Sequence, residues 1–63
     1  MRITLEAARK NVGLKQSEAA EKIGVNKQTL SNWERGKTFP GSDKIPVICE
    51  IYKRHYDEIQ WSR

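Results

Sequence analysis

Apolar positions in this chain fall in short clusters at helical spacing, and a glycine follows most of them. Leu5, Ala8 and Val12 recur three and four residues apart. They mark one stripe of a helix from about Thr4, which can cap it, to Val12. The stretch "KQSEAAEKI" carries Ala19, Ala20 and Ile23 on one face and predicts a second helix. Its two small alanines allow another helix to come close. Only Val25 and Asn26 then separate Gly24 from a third helix, opened by the capping residue Asn26 and closed at Gly36. Gly13, Gly24 and Gly36 stand where left-handed helix stops are expected. After the looser "KTFPGS", a fourth helix should start near Asp43. Pro46 falls in its first turn, where a missing N–H costs little, and Val47, Ile48, Ile51 and Tyr52 form its stripe. A short last turn or helix should hold Tyr56, Ile59 and Trp61, which either complete the core or form a dimer surface. Nowhere do four or more β-branched or aromatic residues alternate with polar ones, so no strand is expected. The pattern predicts an all-α fold, a compact bundle of five short helices.

Composition adds bounds. Sixty-three residues allow a single domain, 1–63, whose core must be mostly local. No apolar run is long enough to cross a membrane, and "MRITLEAARKN" lacks the apolar stretch of a secretory signal. Cys49 has no second cysteine to pair with, so a reduced, cytoplasmic setting is expected. Met1 is the expected natural N-terminus, while Arg63 leaves the other end open. Catalysis finds no support in the residue set. His55 is the only histidine, beside Lys53 and Arg54, and reads as a solvated residue at a helix end. Cys49, among Ile48 and Ile51, reads as a small core residue. No catalytic residue, metal or cofactor is expected, and the chain is not expected to be an enzyme.

The net charge of +4 favours an anionic partner, provided the cations gather on one surface. The third helix decides that. At about 100° per residue, Lys27, Ser31, Arg35, Gln28 and Asn32 share one arc of roughly 140°. Leu30, Trp33, Thr29 and Glu34 share the other. The open arc is all amides, a hydroxyl and cations, with no carboxylate. Lysine and arginine reach phosphates and guanine edges, and glutamine and asparagine pair with adenine. A polar surface helix that is rich in amides by chance would look the same in isolation. The order of segments favours DNA: a short helix, a glycine turn of very few residues and a second helix with a polar outer face make a helix-turn-helix.

The stretch "QSEAAEKIGVNKQTLSNWERG" resembles the Xre/Cro-type helix-turn-helix family, which includes the lambdoid phage repressors and Cro proteins. Matching positions are Gly13, Leu14, Gln16, Glu18, Ala20, Ile23, Gly24, Val25, Leu30, Trp33, Glu34, Gly36 and Lys37, and "NWERGK" followed closely by "FP" is a specific ending. The resemblance implies that the second helix lies across the DNA backbone and that the third, about 26–35, enters the major groove. It implies base contacts from Lys27, Gln28 and Asn32. It implies phosphate contacts from Gln16, Arg35 and Lys37, to which Lys15, Asn26 and Ser31 are added as neighbours. It implies an ion pair between Arg9 and Glu34, joining the first helix to the third. Two departures stand out. Lys15 occupies a position that is usually Thr, Ser or Asn, so that helix cap is weakened. The ending "RHYDEIQW" lacks the family's frequent pattern apart from Asp57 and Ile59, which leaves dimer details open.

The resulting expectation is a small transcriptional regulator, repressor or Cro-like, of a phage, prophage or mobile element. It would bind a palindromic double-stranded operator as a homodimer, at least on DNA. The alternative is an antitoxin-like protein-interaction module that keeps the same fold.

Overall fold

The computed structural model describes residues 2–61. Their order is β1 (Ile3–Thr4), α1 (Leu5–Asn11), α2 (Gln16–Ile23), α3 (Lys27–Glu34), α4 (Ile45–Tyr52), a three-residue 3₁₀ turn (Tyr56–Glu58) and β2 (Ile59–Gln60). The four α-helices wrap one core. Leu5 and Ala8 come from α1, Ala19, Ala20 and Ile23 from α2, Leu30 and Trp33 from α3, and Ile48 and Tyr52 from α4.

Local chemistry sets each helix end. Thr4 Oγ1 accepts from the Ala7 N–H at 3.1 Å and starts α1, with Glu6 in the first turn and Arg9 and Lys10 in the last, each on the favourable end of the helix dipole. At the start of α2, Lys15 has no side-chain acceptor to offer the helix. The turn is closed from the other direction, by the Lys15 N–H donating to Glu18 Oε1 at 2.8 Å. Gly24 ends α2 at φ 91°, ψ 29°, and its N–H reaches the Ala20 carbonyl at 2.9 Å. A left-handed residue here turns the chain sharply into α3, and glycine adopts it without the Cβ penalty. Asn26 Oδ1 then accepts from the Thr29 N–H at 2.7 Å and opens α3.

The last third of the chain departs from the sequence expectation in three ways. The fourth helix begins at Ile45 and not near Asp43, because the Lys44 and Ile45 N–H groups both turn back to the Gly41 carbonyl, at 2.9 and 3.2 Å. Val47 is exposed and does not join the buried stripe. With Ile48 and Tyr52 centring the inward face, Val47 lies about 120° away at 100° per residue. There is no fifth α-helix among the described residues, and there is a strand pair that the sequence did not predict. Tyr56–Glu58 make one 3₁₀ turn, and Ile59–Gln60 run parallel to Ile3–Thr4, with Ile3 opposite Ile59 and Thr4 opposite Gln60.

That pairing decides the fate of the three C-terminal apolar residues. Ile59 is completely buried, Trp61 is partly buried against the core, and Tyr56 stays 61% exposed. The Tyr56 and Trp61 rings stack with centroids 5.7 Å apart, and Trp61 Nε1 donates to the Tyr56 carbonyl at 2.9 Å. His55 is exposed, as a solvated end residue should be, and its N–H donates to Glu58 Oε1 at 2.8 Å. That bond holds the Glu58 carboxyl below its usual range. Cys49 is half-buried, and burial raises its thiol pKa. No described helix is long and apolar enough to cross a membrane.

Candidate nucleic-acid interface

A buried bracket of charges sets the attitude of α3. Arg9 Nε donates to Glu34 Oε2 at 2.7 Å and Nη2 to Glu34 Oε1 at 3.2 Å, a two-bond fork between the first and third helices. Both side chains are below a tenth exposed. The third arm, Nη1, donates to the Leu14 carbonyl at 2.9 Å and so holds the loop between α1 and α2. Glu34 Oε1 also accepts from Gln16 Nε2 at 3.0 Å. A paired, hydrogen-bonded carboxylate is tolerated at this depth where a lone one would be costly. The Glu34 hydrogen bond raises the pKa of Arg9, against the opposing effect of burial. The Tyr52 hydroxyl lies in the same region and is buried with no hydrogen-bond partner among the described residues.

With Glu34 turned inward, α3 presents no carboxylate to solvent. Lys27, Gln28 and Arg35 are exposed, and Ser31 and Asn32 are half-buried. Gln28 Nε2 donates to Asn32 Oδ1 at 3.0 Å, and Arg35 Nη2 reaches the same oxygen at 3.4 Å. Lys37, exposed beyond the helix, has its N–H on the Asn32 backbone carbonyl at 2.9 Å, which folds the following loop back onto α3. Lys15 is exposed at the start of α2, next to the half-buried Gln16. Asn26 commits its side-chain oxygen to the cap, which leaves its amide N–H groups for any outside partner.

Three features had no signal in the sequence that reading along the chain used. The Leu14 carbonyl as the third acceptor for Arg9 depends on a loop path. The hydrogen bond between Gln16 and Glu34 joins residues far apart in the chain. The Gln28–Asn32 bond was legible in principle, since residues four apart on a helix are neighbours. Among the described residues, no three His, Cys, Asp or Glu side chains gather as a metal site would require.

The geometry is that of a helix-turn-helix domain, and the chain belongs to the helix-turn-helix family, whose model matches residues 5–59. The matching family is that of the Xre-type helix-turn-helix domains. An uncharacterised HTH-type transcriptional regulator of Methanothermobacter thermautotrophicus is 42% identical over 58 residues, covering 92% of this chain and 84% of that protein. The HTH-type transcriptional regulator ImmR of Bacillus subtilis (strain 168) is 38% identical over 48 residues, covering 76% of this chain. The HTH-type transcriptional activator BcrR of Enterococcus faecalis is 29% identical over 55 residues, covering 87% of this chain. The matched segments span 38% of ImmR and 27% of BcrR. No solved structure matches the chain.

Proposed function

We propose that this chain recognises a specific double-stranded DNA sequence, as a small regulator of the repressor or Cro-like kind, with α3 in the major groove and α2 across the backbone. The observation that carries the reading is the carboxylate-free outer face of α3, produced by sending its one acid into the Arg9 pair. Lys27, Gln28 and Asn32 meet base edges. Lys15, Gln16, Asn26, Ser31, Arg35 and Lys37 hold phosphates around them. Gln16 suits its role because Glu34 takes one hydrogen of its amide and leaves the other to point at a phosphate oxygen. The buried fork and the Gln16–Glu34 bond hold α3 against α1 and α2, so the phosphate and base contacts keep one register.

Two copies on a palindromic operator fit the dimensions. The domain measures 28 × 23 × 19 Å. Half-sites one helical turn apart have centres about 34 Å apart, so two such bodies can lie side by side on one face of the duplex.

The test is salt dependence. With four or more phosphates neutralised, log affinity against log salt should have a slope of about −3 or steeper. A labelled duplex titrated at several salt concentrations measures it. A flat response sinks the proposal and leaves a protein-interaction role for the same fold.

A further inference from the structure

On the outward face of α3 one oxygen serves two donors. Gln28 Nε2 and Arg35 Nη2 both point at Asn32 Oδ1, at 3.0 and 3.4 Å. The guanidinium fixes which atom is which. It has donors only, so the Asn32 atom facing it must be the carbonyl oxygen. The Gln28 atom on that same oxygen must then be the amide nitrogen. Both acceptor sites of Oδ1 are thereby engaged within the protein.

What is left for a partner is asymmetric. Gln28 keeps Oε1 and one N–H, an acceptor beside a donor. Asn32 keeps only its Nδ2 hydrogens. We propose that Gln28 and Asn32 read the major groove as one unit, tied by the oxygen that Arg35 also holds, in which Gln28 pairs with an adenine and Asn32 acts as a donor only, toward a guanine or thymine. This rests on α3 being the recognition helix. Adenine shows N7 as acceptor beside N6 as donor, which matches what Gln28 retains. Guanine N7 and O6 and thymine O4 accept, which matches a bare amide NH₂. A second adenine opposite Asn32 would need the oxygen that Gln28 and Arg35 already occupy. In open water an amide pair four residues apart is weak. Between the walls of a groove the local dielectric falls and the same bond strengthens. Gln28 and Asn32 are separated by about 6 Å of helix rise, under two base-pair steps of about 3.4 Å, so the two bases are at most two steps apart.

Selection of bound duplexes from a random pool, run in parallel with the parent, Asn32→Asp and Asn32→Ala, tests the unit. The parent pool should show adenine at one position and guanine or thymine within two steps of it. Asn32→Asp keeps an oxygen toward Gln28 and Arg35 but replaces the donor with an acceptor. The guanine or thymine should change to cytosine, whose N4 donates, while the adenine persists. Asn32→Ala removes the shared oxygen. Preference at its position should fall roughly tenfold, and the adenine preference should weaken with it because Gln28 loses its anchor. Adenine at the position that Asn32→Asp alters overturns the proposal, as does an Asn32→Ala pool identical to the parent's. A parent pool with no enriched sequence overturns the recognition-helix reading itself, which is a different result from either.

Discussion

Glu34 ties together the first three helices of this domain. One carboxylate receives Arg9 twice and Gln16 once, so three segments of chain meet on two oxygens. Glu34→Ala would leave Arg9 charged and buried. Breaking such a pair costs about 3–5 kcal/mol, while domains carry only about 0.05–0.15 kcal/mol per residue in total. The variant should be largely unfolded near room temperature, and a thermal melt that overlays the parent would refute the role given to the pair. Tyr52 offers the opposite case. Its hydroxyl is buried and unpaired among the described residues, so Tyr52→Phe removes a desolvated polar group and should leave stability equal or raise it by about 1 kcal/mol. Burial first, and then the Glu34 charge, push the phenol pKa well above its ordinary value, with Arg9 acting the other way. The folded state therefore keeps a proton that the unfolded chain gives up near pH 10. This stabilisation is whole below about pH 10 and is lost as pH rises through the interval up to the folded pKa. Urea melts at pH 8 and pH 11 should show Tyr52→Phe gaining on the parent at the higher pH. An unchanged gap would mean that the phenol is not shielded.

At the scale of elements, the first three helices were legible because each carries its own punctuation. Thr4 and Asn26 cap, Gly24 turns the chain, and Leu30 and Trp33 share a face that only a helix gives them. The fourth helix was expected near Asp43, two residues before its start at Ile45. Its stop is Lys53 at φ 58°, a left-handed residue with no glycine to announce it. Its start was set by the Gly41 carbonyl, a turn closure that periodicity does not register. The polar face of α3 and its Gln28–Asn32 neighbours follow from helical rotation, but the Arg35–Asn32 and Gln16–Glu34 bonds do not, since they depend on rotamers and chain path. The parts of α3 should also separate by function. Gln28→Ala is expected to cost about 1–3 kcal/mol on the preferred duplex and far less on a scrambled one. Lys37→Ala, beyond the helix end, should weaken both duplexes by similar factors, as a phosphate contact does. Competition titrations at one salt concentration compare them. Equal losses on both duplexes for Gln28→Ala would make it a positioning residue.

At the scale of the whole molecule, closure comes from the short parallel pair, which sequence patterning passed over for a physical reason. Ile59 is buried and Gln60 exposed, and Ile3 and Thr4 likewise alternate half-buried and exposed. That is the period of a strand. Runs of two are too short to stand out from chance, and what stabilises them is the helical core beneath, not the ladder itself. Ile59→Ala is accordingly expected to cost about 2–5 kcal/mol, by lost burial and the cavity left behind. Tyr56→Ala, on a ring that is mostly exposed, should cost much less. Chemical denaturation of the two variants beside the parent measures the difference, and similar midpoints for all three would show that the strand pair does not hold the core.

The pairing of Ile3 with Ile59 also sets a timetable for the newborn chain. A ribosome adds about 5–20 residues per second, so Ile3 waits on the order of several seconds for its partner to be made. During that interval the core lacks Ile59, one of its fully buried members. A domain whose third helix is made well before its core is sealed stays open to proteases until its last strand arrives.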